Sequence, residues 1–283
     1  MPKSILAYKA VGESMMMDDR DLDRAYKEAV VKVVSRGATN RLLSLARSGG
    51  VEASTLSQCN AKSMAHSTGE KKLISIDVSS DTVCPWCFIG KQNLQKAIDS
   101  AKDRFNFEVR WHPFFLNPDA PKEGINKTDF YKQKFGASQY EAMMSRMTKI
   151  FNSLGFEYDT SGLTGSTLDS HRLITFSASQ GYDKQNALVE ELFLNYFCQG
   201  KYIGDRKVLL DAAQKVGIEG ASELLHDPTK GIEEVNEELE KYSSRINGVP
   251  HFVINEKYKI SGGQPPEVFL RAFQAAADDD SRQ

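Results

Sequence analysis

Residues 73–79, "LISIDVS", alternate apolar and polar side chains and carry Ile74, Ile76 and Val78 on one parity. That is the pattern of a strand with one buried face. "SSDTV" follows with cap and turn residues. "CFIGKQNLQKAIDSAK" then spaces Phe88, Leu94 and Ile98 as a helix does. "FNFEVRWHPFF", residues 105–115, reads as a second strand, closed by Pro113 and the turn "NPDAP". A strand–helix–strand unit of this kind supplies the crossover that parallel strands need.

The next hundred or so residues are helical in pattern. "QYEAMMSRMTKIFNSLG" sets Tyr140, Met143, Met144, Met147, Ile150, Phe151 and Leu154 on one face and stops at Gly155. A methionine stripe serves a promiscuous groove in some proteins, but at this spacing it reads as core. "STLDSHRLITFSASQG", "QNALVEELFLNYFCQG" and "DRKVLLDAAQKVG" follow as helices, each ending near a glycine. "GIEEVNEELEKYSSR" makes another, with a solvated charged face. Strands return in "PHFVI" and "YKISG", joined by "NEK" as a hairpin. "PPEVFLRAFQAAA" closes the chain as a helix with proline in its first turn. The order predicts one α/β domain with a helical insertion.

The first 70 residues differ. Residues 31–68 carry Lys32, Arg36, Arg41, Arg47 and Lys62 against the single acid Glu52, with much Ser, Ala, Thr and Gly. That composition is transit-like, yet the acidic "MMMDDRDLDR" precedes it and no secretory signal is visible. The expectation is a leader, residues 1–70, that is disordered or transit-like, with no role assigned to Cys59 or His66. The tail 278–283 is expected to fray.

Across the 283 residues, 40% are hydrophobic and 26% charged, with a formal net charge of -2. That balance describes a soluble protein with no electrostatic call for nucleic acid or a membrane as partner. Localisation is expected to be cytoplasmic or organellar. Four cysteines in such a chain do not make a disulfide framework, so cysteine is either incidental or chemical.

Cys84 and Cys87 stand two residues apart where a strand passes into a helix. Three readings stay open: a redox pair, half of a zinc site, or two inert thiols. The redox reading has a local cause. At a helix N-terminus, unpaired N–H groups and the dipole favour the Cys84 thiolate, which is the nucleophile in disulfide exchange. Pro85 fixes the first helical φ, and Cys87 lies one turn further in, placed to resolve a mixed disulfide. Zinc wants four ligands, and only one such pair is present. Downstream, Val249-Pro250 precedes a strand, as a trans turn proline or as a cis bond that exposes a backbone edge. Cys198 reads as a small hydrophobe.

"VSSDTVCPWCFIGK", "VRWHPFFLNPD", "LDSHRLITFSASQG" and "GVPHFVINEKYKISGGQPPEVF" together resemble the DsbA-like thioredoxin-fold oxidoreductases, in their FrnE-type branch, over roughly residues 72–277. The resemblance implies a thioredoxin fold with an inserted all-helical domain: a core of 71–122 and 228–277 around an insertion of 123–227. It implies that Cys84 attacks and Cys87 resolves, supported by Pro85 and Trp86. Val249 and Pro250 become the cis-proline loop facing them, which in this family binds extended substrate chain. His171 and Arg172 match the family's "HR" helix and are carried as substrate contacts, though a buried, satisfied His is the commoner fate. The family usually has Thr after the proline. Here stands His251, whose imidazolium would favour the thiolate if it lay beside Cys84.

The function expected is thiol–disulfide exchange on cysteine-containing proteins or peptides, with no bound cofactor, no metal, and glutathione or another thiol as redox partner. The first alternative is a glutathione-dependent transferase or isomerase of the kappa-class or hydroxychromene-carboxylate isomerase kind, which typically carries serine where Cys84 stands. The second is a non-catalytic, chaperone-like binding module.

Overall fold

The computed structural model describes residues 71–280. The leader 1–70, with Cys59 and His66, and residues 281–283 lie outside the described residues.

β1 (Lys72–Ser80) leads through a short turn into α1 (Pro85–Ala101) and returns as β2 (Phe105–Pro113). β1 and β2 are parallel, from Lys72 opposite Phe105 to Ser80 opposite Pro113. Two short strands complete the sheet at the other end of the chain, β5 (His251–Ile254) and β6 (Tyr258–Ser261). β5 runs antiparallel to β1, with His251 opposite Ser79, and the strand order is β2-β1-β5-β6.

Alternation decides what each face carries. Ile74, Ile76 and Val78 pair with Phe107, Val109 and Trp111 on one side of the sheet. This apolar face packs on α1 and on the last helix, numbered α9 (Pro266–Asp280), where Phe252 meets Phe269 and Phe107 meets Phe273. α9 continues through 278–280, the first half of the stretch expected to fray. The opposite face carries Asp77, Ser79, Arg110 and His112.

Between β2 and β5 lie α2 (Lys127–Phe135), α3 (Ala137–Leu154), α4 (Leu168–Ser177), α5 (Tyr182–Cys198), α6 (Arg206–Val216), α7 (Ala221–His226) and α8 (Ile232–Glu238). Two extended pairs of residues, β3 (Ile125–Asn126) and β4 (Leu163–Thr164), bridge each other in this region, so it is not helical throughout. The helix expected over 231–245 stops being α-helical at Glu238 and becomes a π turn, Leu239–Ser243.

Tyr140, Met143, Met147 and Phe151 are buried, and Met144, Ile150 and Leu154 pack against them. The methionine stripe is core. Phe88, fully buried one residue after Cys87, stacks on Phe151 of α3 at 4.7 Å and meets Phe193 and Phe197 of α5 edge-on or tilted. Aromatic pairs at such distances add about 0.5–1.5 kcal/mol each beyond their burial. Lys91 and Gln92 extend the seam by pairing with Glu190 at 2.6 and 2.8 Å. No helix among the described residues is long and apolar enough to cross a membrane.

Candidate active site

α1 begins where Pro85 allows it to. Cys84 is its N-cap, in extended conformation (φ -89°, ψ 113°), and Pro85 occupies the first turn, two residues ahead of the start that periodicity suggests. No side chain caps this end, and no acidic residue sits in the first turn. The positive end of the helix therefore acts on Cys84 with no acidic side chain of its own first turn to offset it. Cys87 lies one turn in, its amide donating to the Cys84 carbonyl at 3.0 Å.

Both cysteines are free thiols and fully buried. Burial pushes the Cys87 thiol well above its ordinary value. Its hydrogen bond with Cys84 adds to this, while Ser80 and the Asp81 amide act the other way. Cys84 faces a wall. The Val249–Pro250 peptide is cis, and the Cys84 thiol donates to the Val249 carbonyl at 3.7 Å. The wall fits closely because α1 has no side chain where it crosses β5. A Cβ on Gly90 would meet Pro250 and Phe252 atoms at 3.0 Å. Trp86, also buried, lies under the Arg146 guanidinium at 5.9 Å.

A family model described as the DSBA-like thioredoxin domain matches residues 75–274, a span that takes in both cysteines and the proline wall. This protein belongs to that family. Its relatives include the YwbO protein of Bacillus subtilis (strain 168), 28% identical over 203 residues that span 71% of this chain and 96% of YwbO. The crystal structure of a probable DsbA oxidoreductase from Streptomyces coelicolor aligns with a TM-score of 0.65 at 29% identity, covering 72% of this chain and 90% of that one. A 2-hydroxychromene-2-carboxylate isomerase shares the fold, with a TM-score of 0.53 at 13% identity over 74% of this chain and 98% of that one.

The DSBA-like core brings Cys84, Pro85, Trp86, Cys87, Val249 and Pro250 together, and treats the other sequence-derived candidates differently. His251 belongs to the polar parity of β5 and its Nδ1 lies 3.1 Å from Ser261 Oγ on β6. Burial lowers its pKa, and Lys259 lowers it further. The ring is turned to Ser261 of β6, and burial and Lys259 both disfavour the imidazolium that would favour the Cys84 thiolate. Arg172 is 1% exposed. Its guanidinium donates to Lys230 O at 2.6 Å, Asp169 Oδ1 at 2.7 Å and Leu224 O at 2.8 Å, and also to Asp227 O. Its donors are committed to holding α4 against the end of α7 and the turn beyond.

His171 is equally enclosed, but it touches the loop that carries Cys84. Its Nε2 lies 3.1 Å from Phe114 O and 3.4 Å from Asp81 Oδ1. Asp81 is the residue that sequence reasoning passed over as a turn former. Its carbonyl accepts the Cys84 amide at 3.0 Å, and its Oδ2 accepts the Leu116 amide at 2.7 Å. Thr82 Oγ1 adds a 2.9 Å bond to Ser170 Oγ of α4. Asp81 Oδ1 and His171 Nδ1 are buried with no hydrogen-bond partner. The loop is therefore gripped from β2 and from α4 at once. Tyr131 is a second omission: it is buried near enough to Cys84 for the thiolate to raise its pKa, after burial as the main cause. Among the described residues no group of three or more His, Cys, Asp or Glu is arranged to hold a metal ion.

Proposed function

We propose that the protein is a thiol–disulfide oxidoreductase acting on cysteine-containing peptides or proteins through Cys84 and Cys87. The observation that carries the reading is the placement of Cys84 as an uncapped helix N-terminus facing the Val249 carbonyl, with Cys87 one turn behind. The Cys84 thiolate attacks one sulfur of a substrate disulfide. An S–S bond forms to Cys84, the substrate's own S–S bond breaks, and the leaving thiolate takes a proton. Cys87 then loses its proton and attacks Cys84 Sγ. The Cys84–Cys87 disulfide forms, the mixed disulfide breaks, and the substrate leaves as a dithiol, two electrons richer. The reverse sequence oxidises a substrate dithiol. A pair of glutathione molecules, or another thiol, restores the reduced enzyme.

The high pKa of Cys87 suits the second role. A resolving thiol that stays protonated does not compete with Cys84 for the substrate. Val249, on the near side of the wall, offers the backbone edge along which an extended chain would add as a strand. Since Cys84 is fully buried, this wall has to move aside before a disulfide reaches the sulfur.

The deciding experiment is the reduction potential of the pair against a glutathione buffer. About 30 mV corresponds to about 1.4 kcal/mol for this two-electron couple, so the value separates an oxidant from a reductant. A pair that forms no disulfide in any buffer refutes the proposal. Cys87→Ser is expected to accumulate the mixed disulfide on Cys84. A conjugation assay on Cys84→Ser tests the transferase alternative, which requires that variant to keep or gain activity.

A further inference from the structure

The polar face of the sheet carries an ionic cluster that the exchange chemistry does not use. His112, near the end of β2, is 6% exposed. Its Nε2 lies 2.9 Å from Asp77 Oδ1 on β1, and its Nδ1 is in contact with Glu238 Oε2 at the end of α8. Its ring stacks on Tyr242 of the π turn, centroids 3.5 Å apart and planes 14° from parallel. Arg110 reaches Asp77 at 3.5 Å but is held at 2.7 Å by Glu108. Lys241 lies over the outer ring, Tyr242, at 4.7 Å. The same segment is tied twice more: Ser79 donates to Tyr242 O at 3.3 Å, and Ser243 donates to Pro113 O at 2.6 Å.

An imidazole with a carboxylate oxygen at each nitrogen is satisfied only when both nitrogens carry protons. In the neutral ring one lone pair faces a carboxylate. Burial opposes the charge, but the hydrogen bonds to Asp77 and Glu238 outweigh it, and the His112 pKa is raised. The ionisable groups around the ring are Asp77 from β1, Glu238 from α8, Tyr242 and Lys241 from the π turn, and Arg110 and Glu108 on β2 itself. Arg110 and Lys241 are the like charges: Arg110 is held by Glu108 and shares Asp77 at a longer distance, and Lys241 lies over Tyr242.

Six residues after Ser243 comes Val249, whose carbonyl meets the Cys84 thiol. We infer that His112 is a positioning residue for the redox site: as an imidazolium it pins the chain from Glu238 to Ser243 onto the sheet and so holds the Val249 wall over Cys84. The inference rests on Cys84 being the reactive thiol. Deprotonation of His112 turns a lone pair toward one of the two carboxylates, loosens the segment and uncovers the sulfur. The wall is closed while the His112 ring carries both protons and opens as it loses one.

Three measurements on the intact protein and on Glu238→Gln test this. Carbon-labelled histidine NMR follows His112. Hydrogen exchange gives protection factors for residues 239–250. Iodoacetamide labelling, resolved by peptide mass spectrometry, gives the reactivity of Cys84 against pH. In the natural protein the protection factors are expected to fall about tenfold across the His112 titration, the effect of losing one charged hydrogen bond. Cys84 labelling should rise at the same pH, apart from its own ionisation. In Glu238→Gln both transitions should move to lower pH together with the His112 pKa. Protection that is flat across the His112 titration overturns the inference. So does a labelling profile identical in the two proteins. Should labelling follow His112 while the pair fails to exchange with glutathione disulfide, the positioning role stands and the proposed oxidoreductase function falls.

Discussion

Replacing Arg172 by alanine separates two accounts of the "HR" helix. If Arg172 binds substrate, its loss costs affinity and leaves the fold alone. The structure gives it a structural burden instead. At 1% exposure it feeds three backbone carbonyls, Leu224, Asp227 and Lys230, that cluster at the end of α7 and the turn beyond, and it pairs with Asp169. A cation there also sits favourably at a helix C-terminus. Asp169 is 43% exposed and regains water when the guanidinium leaves, so its contribution is small. The carbonyls are the larger loss. Each acceptor left without a donor costs about 1 kcal/mol, and the removed alkyl stem adds about 1 kcal/mol of lost packing.

Arg172→Ala is therefore expected to lose about 4 kcal/mol, within the range for removing one partner of a buried charged network. For a domain of this size that is a fall in Tm of roughly 10 °C. Arg172→Lys should recover less than half, because an ammonium cannot reproduce the planar fork that reaches four acceptors. Urea unfolding followed by circular dichroism gives the stability, and steady-state reduction of a peptide disulfide gives KM. A variant that unfolds at the natural midpoint but shows a raised KM refutes the burial argument and returns Arg172 to the substrate.

Lys127, 2% exposed, donates to Tyr196 O at 2.9 Å, and burial lowers its pKa from 10.5 to about 8 with Asp159 acting against the shift. A depressed lysine disfavours the charged folded state, so its effect on stability should improve by up to about 3 kcal/mol as pH rises from 8 toward 10.5. In urea unfolding, Lys127→Met should lack that rise, and an equal rise in both proteins argues against it. Phe88→Ala should cost about 3–5 kcal/mol by emptying the aromatic seam between α1, α3 and α5, and a loss under about 1 kcal/mol would mean the seam does not hold them. His171→Ala should cost about 1–3 kcal/mol through the Asp81 loop while KM for a peptide disulfide stays unchanged. A higher KM at full stability would restore His171 as a substrate contact.

Periodicity made β1, α1, β2 and the closing β5–β6–α9 unit readable, because each carries an apolar set at strand or helix spacing bounded by turn and cap residues. It missed α2, whose buried residues are only Lys127 and Tyr131, too few to leave an apolar stripe. It ran the helix after Gly231 straight through to Arg245, since the π turn that sets Tyr242 over His112 answers to a strand elsewhere in the chain.

The site divides along the same line. Cys84 and Cys87 need only a strand, a turn and a helix start, all within a few residues of one another. The contacts around them are long-range: Asp81 accepts from Leu116 and His112 meets Asp77, each 35 residues away, and His112 meets Glu238 across 126. α4 shows why the sequence left the roles of His171 and Arg172 open. Ser170, His171, Arg172, Leu173 and Ile174 are all buried in succession, so this helix is enclosed on every side at its centre. An amphipathic pattern tells which face points outward only when one face does. With none, polar residues that knit the insertion to the core are indistinguishable in sequence from polar residues that wait for a substrate. Burial weighs for the first kind here: Arg172 is bonded to the end of α7 and the turn beyond, and His171 is set against Phe114 and the loop of Cys84.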